Sequence, residues 1–436
     1  MDELSLKETR ALLAFLEKSP TAYQAADECA AMLRAAGYKE ISENAPGSFT
    51  PGKYFIVRSG TSVIAFSVPA GKPTSCMIAA SHSDSPTFKL KSQYEAEAFG
   101  TYLKLNTEPY GGMILSSWFD RPLSVAGRVV IRCGDRFIAK NVKLDRDLAV
   151  IPNVCIHFNR AINDGYKFNP AVDTLPLIGT SDKKGALMRV IAEEVGVQPE
   201  EIVSHDLYLY NRTPGTVFGV DNEFFASPRI DNLQCAYATL RGFLGAKNSD
   251  TVKVWCMFDN EETGSSTKQG AGSAFLRDTL EKIATDNGLS LPALLDSSMM
   301  VSADNGHAKH PNHPELSDAQ NAPRLGGGVV LKYNAAQKYA TDGVSAALFS
   351  EICRRADVPV QVFANRSDLP GGSTLGSISN TKVPLLTVDI GMAQLAMHSS
   401  YETGGTADTL HLIRASTAFY RAAIERPGTA EWKIRT

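Results

Sequence analysis

The chain has 436 residues, 43% of them apolar and 21% charged, with a formal net charge of −3. That length exceeds what one hydrophobic core usually organises, so more than one domain is expected. The near balance of 44 basic and 47 acidic residues excludes the basic excess of a nucleic-acid-binding surface, and no stretch is apolar for the about 18 residues that a membrane helix needs.

At the N-terminus, Leu4, Leu12, Leu13, Phe15 and Leu16 fall at helical spacing, and Ser19-Pro20 ends that helix. The segment lacks a basic start and a long apolar centre, so it does not read as a secretory signal. A second helix covers "AYQAADECAAMLRAAG" and closes at Gly37. Three strands follow, "KYFIVRS", "SVIAFSV" and "SCMIAASHSDS"; the third is a continuous run of small apolar residues, as in a strand buried on both faces. Residues 91–226 break into short β-like pieces with turn signals such as Cys133-Gly134-Asp135, and 163–182 reads as a long loop. From Ser227 onward helices and strands alternate, and a helix over "TLHLIRASTAFYRAAIE" closes the chain. This rhythm predicts an α/β fold. Residues 1–90 and 227–436 form a principal domain with a mostly parallel central sheet flanked by helices, and 91–226 form an inserted β-rich domain. The seven cysteines are scattered without a CxxC pair, which fits reduced thiols in a cytoplasmic protein.

Three of the predicted α/β strands end in acids or histidine: Ala80-Ser81-His82-Ser83-Asp84, Phe258-Asp259-Asn260-Glu261-Glu262, and Ser302-Ala303-Asp304-Asn305. In a parallel sheet the C-terminal strand ends share one edge, where such folds build their sites. Asp231, opening a helix after "SPRI", and His398 in "QLAMHSS" join the set. Each has an ordinary alternative alone: Asp231 as a helix N-cap, Glu261-Glu262 as a solvated loop, Asp304-Asn305-Gly306 as a turn, His398 as a satisfied histidine. Together they supply the nitrogen and oxygen donors of a site for zinc or its neighbours. Adjacent buried glutamates repel unless a cation or a shared proton intervenes, so Glu261-Glu262 asks for the same solution. The triplet His307, His310, His313 is a rival, but Pro311 and Pro314 break the helix that would align it, and a loop role beside Asp304 is the simpler reading. No GxSxG nucleophile elbow and no phosphate-loop lysine occurs.

The motifs "ASHSDSP", "WFDRPLSVAGRV", "IHFNRAIN", "SPRIDN", "FDNEETGS", "SADNGHAKHPNHP", "LKYN", "GGSTLG" and "QLAMHS", in this order along essentially the whole chain, resemble the bacterial-type members of the aspartyl aminopeptidase family of di-metal exopeptidases. The resemblance implies two divalent ions per subunit, zinc first, with cobalt or manganese as substitutes. His82 and Asp304 would bind one ion, Glu262 and His398 the other, and Asp231 both. Asp84 would orient the His82 ring, and Glu261 would be the general base toward a water between the ions. His307 and Lys332 would contact the substrate, and His157, in the inserted block, would serve a neighbouring subunit's site. Substrates would be peptides with a free N-terminal Asp or Glu, and the assembly a tetrahedral dodecamer built from dimers, with no nucleic-acid or membrane partner. The loop "DLPGGSTLG" departs from the family at Pro370-Gly371, where many members carry a cysteine nearby. A broader-specificity aminopeptidase, or a dipeptidase or deacylase, with the same two-ion site is the alternative, and a non-enzymatic shell or cargo protein a third.

Overall fold

In the computed structural model, which describes residues 2–43, 49–247 and 250–435, the chain opens with two capped helices. Helix α1 (Glu3–Lys18) starts where the Asp2 carboxylate accepts the Ser5 N–H at 2.9 Å and stops at Ser19-Pro20. Helix α2 (Ala22–Ala35) starts on the Thr21 hydroxyl and ends before Gly37, whose φ of 80° suits a residue without Cβ. Strands β1 (Lys39–Glu40), β2 (Gly52–Arg58), β3 (Ser62–Val68) and β4 (Cys76–His82) follow. Next come β5 (Thr87–Ala98), β6 (Tyr102–Tyr110), β7 (Leu123–Cys133), β8 (Arg136–Lys143), β9 (Leu177–Thr180), α3 (Ala186–Val195) and β10 (Ile202–Asn211). The chain continues through β11 (Thr216–Phe218), β12 (Phe224–Ser227), α4 (Ile230–Gly245), β13 (Val252–Phe258), α5 (Phe275–Asp286), α6 (Leu291–Leu295), β14 (Met299–Ala303), β15 (Gly306–His307) and β16 (Val329–Tyr333). It ends with α7 (Gly343–Arg355), β17 (Val360–Ala364), α8 (Leu375–Asn380), β18 (Leu386–Gly391), β19 (Ala393–Leu395), β20 (Glu402–Gly405), α9 (Thr406–Arg421), β21 (Ala423–Gly428) and β22 (Glu431–Arg435).

The central sheet has nine strands in the order β1-β2-β3-β13-β4-β14-β18-β16-β17. Its middle four, β13, β4, β14 and β18, run parallel. This is the expected α/β class with a mostly parallel sheet. Every residue of β4, β13 and β14 is buried, because helices cover both faces. On one face Trp255 and Met257 pack against apolar residues of α1, α2, α4, α7 and α9; on the other, Val254 and Phe258 meet α5, α6 and α8. The Trp255 indole N–H is satisfied by the Thr239 hydroxyl of α4 at 3.0 Å, so this large side chain is buried without an orphaned donor.

A second sheet, β8-β7-β10-β5-β6-β9, is antiparallel throughout. It has its own core around Phe88, Trp118, Val125, Leu207 and Leu209, which is the β-rich part anticipated from sequence. A third, five-stranded sheet in the order β11-β12-β20-β19-β15 joins His307 to the segments flanking Asp231 and His398.

Three elements differ from the sequence reading. Within the β-like block, 186–195 is helical: Leu187, Met188, Ile191, Ala192 and Val195 make one buried face between Gly185 and Gly196. The loop 163–182 contributes edge strand β9 at its end. The final helix stops at Arg421, and a β21–β22 hairpin follows it. All seven cysteines are unpaired, and five are buried. Among the described residues no helix is long and apolar enough to cross a membrane.

One close approach couples the sheet to the strand ends. A Cβ at Gly391 of β18 would strike the Asp304 carbonyl. Gly391→Ala should therefore cost about 1–3 kcal/mol, typical of overpacking, and displace Asp304. Thermal melting together with metal per chain checks this: both should fall, and an unchanged midpoint would show that the contact relaxes freely.

Candidate metal centre

Parallel pairing sets Phe258 beside His82 and Ser302 beside Ala80. The segments that leave β4, β13 and β14 therefore emerge together, carrying His82, Glu261-Glu262 and Asp304. Asp231 enters from the irregular first turn of α4, where its φ and ψ of −78° and 112° are not helical. Its N–H donates to the Glu402 carboxylate at 3.0 Å, and its carbonyl accepts the Ser85 hydroxyl at 2.7 Å. His398 comes from the β19–β20 connection at a φ of 65°.

The donor atoms form overlapping groups whose members lie within 4.8 Å of one another: His82, Asp231 and Asp304; Asp231, Glu262 and His398; and His82, Glu261 and Glu262. His82 Nε2 lies 3.4 Å from Asp304 Oδ1 and 3.6 Å from Asp231 Oδ1. His398 Nε2 lies 3.5 Å from Glu262 Oε2 and 3.6 Å from Asp231 Oδ2. These spacings are long for hydrogen bonds. They match the about 3.3 Å between ligands placed tetrahedrally around an ion with bonds of about 2.0–2.1 Å. Glu261 Oε2 sits farther from His82, at 3.9 Å. Asp231 Oδ1 is buried without a hydrogen-bond partner, and an orphaned buried carboxylate oxygen is costly unless something cationic completes it. The donor chemistry and this orphan both fit divalent ions of the zinc type.

Charge tells the same story. Burial, and then the charge of neighbouring acids, pushes Asp231 and Glu262 well above the usual carboxylate range. Burial raises Glu261 to about 7 and Glu402 to about 7. Asp304 moves the other way: burial opposes its charge, but Lys332 and His82 outweigh that. Burial would likewise discharge His82, yet the nearby carboxylates of Asp304, Asp84 and Glu261 hold its pKa well above 6.5.

Asp84 has a wider reach than the sequence suggested. The His82 Nδ1 is 3.1 Å from the Asp84 backbone carbonyl and 3.4 Å from its carboxylate. That carboxylate also accepts the backbone N–H groups of Glu261 at 3.1 Å and Glu262 at 3.2 Å, and the Tyr110 hydroxyl at 2.7 Å. It thus fixes the turn on which both glutamates stand. Tyr110, Gly111, Gly112 and Glu402 escaped the sequence reading. Gly111 lies against Glu262, where a Cβ would come within 3.1 Å of the Glu262 Cβ. The Gly112 carbonyl contacts His398 Nδ1 at 2.5 Å, leaving Nε2 toward the acids. The Glu402 carboxylate accepts the N–H of both Asp231 and His398. The only sequence signals were "PYGG" at the end of a β piece and a lone acid in "SYETGG".

The remaining candidates fall in different surroundings. Lys332 is 2% exposed; its ammonium donates to the Asn305 carbonyl at 2.7 Å and sits 3.4 Å from Asp304 Oδ2. Asp342, ten positions further on, caps α7 through Ser345. His307 is exposed and edge-on to Phe363, with ring centroids 5.9 Å apart. His310 and His313 lie in the following exposed loop. His157 is exposed between β8 and β9, in none of the donor groups.

Residues 15–420 match the sequence profile of the family described as aminopeptidase I zinc metalloprotease (M18). A probable M18 family aminopeptidase 2 of Clostridium acetobutylicum is 42% identical over 427 residues, spanning 95% of this chain and 99% of the relative. Ape4, solved in complex with Nbr1, superposes with a TM-score of 0.92 at 33% identity, covering 97% of this chain and 87% of that one. The S. cerevisiae mApe1 dodecamer superposes with a TM-score of 0.85 at 25% identity, covering 96% of each chain.

A pH test isolates the charge argument. Without metal, the raised values of Asp231, Glu261, Glu262, Glu402 and His82 outnumber the lowered values of His205, His307 and His398 in the folded state, so between about pH 5 and 7 the folded chain binds more protons than the unfolded one. Stability must then fall as pH rises through that window. Metal-stripped protein should melt higher near pH 5.5 than near pH 7.5, and zinc-loaded protein in the opposite order, because ligands must shed protons to bind. Stripped protein that gains stability toward pH 7.5 would contradict the crowding described above.

Proposed function

We propose the following reaction for this chain, which belongs to the aminopeptidase I zinc metalloprotease (M18) family and is therefore a metal-dependent aminopeptidase: hydrolysis of the first peptide bond of peptides with a free N-terminal Asp or Glu. One observation carries the metal assignment. Asp231 turns Oδ1 toward His82 and Oδ2 toward His398, so it belongs to two donor groups at once. On this reading Asp231 would serve two ions, with His82 and Asp304 holding one and Glu262 and His398 the other. The family description supports zinc; cobalt or manganese would suit the same donors.

Two divalent ions held there would lower the pKa of a water between them and polarise the substrate carbonyl. Glu261 would be the general base: its carboxylate lies farther from His82 than the Asp304 and Asp231 oxygens do, and burial disfavours its charge, so it would take a proton from the attacking water and return it to the leaving amine. Asp84 keeps Glu261 on station through the Glu261 N–H and steadies His82. A neutral His307 imidazole, its pKa lowered by desolvation of the ring and by Lys332, would donate a hydrogen bond to an acidic side chain on the first residue, and the charge of Lys332, shared with Asp304, would add a weaker attraction.

Residues 1–90 and 227–436 would be the catalytic domain and 91–226 an inserted domain for assembly and substrate access. The dodecamer of the S. cerevisiae relative supports a tetrahedral dodecamer built from dimers here, with His157 of the inserted domain reaching a neighbour's site. A cytoplasmic location fits the unpaired cysteines.

Glu261→Gln should retain the metal per chain, measured by elemental analysis, while lowering kcat by about 100-fold or more; undiminished turnover would remove Glu261 from the base role. A panel of peptides differing only in their first residue tests the substrate. Asp and Glu should give the highest kcat/KM and acetylated peptides none. Equal rates for Leu and Asp would leave the aminopeptidase reaction standing without its acidic preference.

A further inference from the structure

At the opposite end of β13 from Glu261, about 17 Å along the strand, lies a second cavity of about 590 Å³. Three lysines, Lys53, Lys247 and Lys253, line it and no acid does. The arrangement follows from strand register. Ser67 of β3 pairs with Lys53 of β2 on one side and with Lys253 of β13 on the other. The three side chains therefore share one face, with the two lysine backbones about 10 Å apart. The Ser67 hydroxyl between them is buried and engages the Tyr38 phenol, which lines the same cavity.

Lys253 is 4% exposed, and a buried ammonium ordinarily needs a counter-charge. Among the described residues none of the three lysines has a carboxylate partner, and the neighbouring acid Asp250 is paired with Arg435. The ordinary explanation is helix capping: Lys253 donates to the Ala246 carbonyl at the end of α4 at 2.6 Å, and Lys53 lies 3.5 Å from the Ala36 carbonyl at the end of α2. Each helix end supplies only about half a negative charge, and the Tyr38 and Phe243 rings, 5.5 Å from the Lys53 and Lys253 ammonium groups, carry no formal charge, so the cluster keeps a net positive charge. Burial lowers Lys253 to about 8, and the charge of Lys53 acts in the same direction. The rest of the wall, Tyr38, Val68 and Leu244 among it, is largely apolar, and the volume suits a small organic ligand rather than a bare ion.

We propose that this cavity binds a phosphorylated small molecule, its phosphoryl oxygens held by the ammonium groups of Lys53, Lys247 and Lys253 and by the Ser67 hydroxyl, at a site separate from the metal centre. The phosphate contacts are charge-assisted and the apolar wall takes the organic body.

Equilibrium dialysis of the zinc-loaded protein with radiolabelled inorganic phosphate, at constant ionic strength, tests the charged half of the site. One phosphate per chain should bind saturably. The double variant Lys53→Met/Lys247→Met, altered only at exposed positions, should bind it at least tenfold more weakly with its peptidase activity unchanged. Lys253→Met should do the same where it folds. Absence of saturable binding, or binding equal in wild type and double variant, would overturn the proposal. Phosphate held instead at the metal centre would appear as the latter result, with competition against peptide substrate.

Discussion

Burial of like charges is the constraint on which the cluster at the edge of the central sheet depends. Asp84, Asp231, Glu262, Asp304 and Glu402 are brought together at one sheet edge with Glu261, and water is largely excluded from them. A set of carboxylates so placed has three remedies: protonation, pairing with cations of the chain, or pairing with cations from outside. The chain supplies Lys332 to Asp304, protonated His82 to its neighbours and the charge of buried Arg229 to Glu402, which is still too little positive charge for the number of acids. The remainder of the site makes sense as scaffolding for ions that settle the balance. The adjacent glutamates then stop being a liability, because one can face an ion while its neighbour stays free to move a proton.

The scaffolding is drawn from parts of the chain far apart in sequence. The loop that leaves β6 of the antiparallel sheet lies across the site: Tyr110 bonds Asp84, Gly111 packs on Glu262, and Gly112 holds the ring of His398. Glu402 ties the backbones of Asp231 and His398 to one carboxylate. Supporting bonds of this kind fix the tautomer and direction of ligating side chains. They also give the β-rich block a part in the geometry of the centre, separate from any role in assembly.

What the sequence reveals of this site follows from where its residues sit. His82, Glu261, Glu262 and Asp304 end strands, and parallel strands deliver their ends to one edge whatever lies between them, so polar residues closing apolar runs are visible without knowing the fold. Asp231 and His398 sit in no such pattern and were reached through short motifs. Tyr110 and Glu402 were invisible because their importance lies in pairings across about 26 and 171 positions, which no local periodicity records. Helix α3 was lost among β-like pieces because ten residues give barely three helical turns. The terminal hairpin was lost because its alternation is brief and largely exposed.

Anomalous diffraction from crystals of the zinc-loaded protein, collected at the zinc edge, bears on the central claim most directly. The account predicts two peaks, one among His82, Asp231 and Asp304 and one among Asp231, Glu262 and His398, with the Glu261 carboxylate outside both coordination shells. A single peak, or two peaks with Glu261 as a ligand, would contradict it.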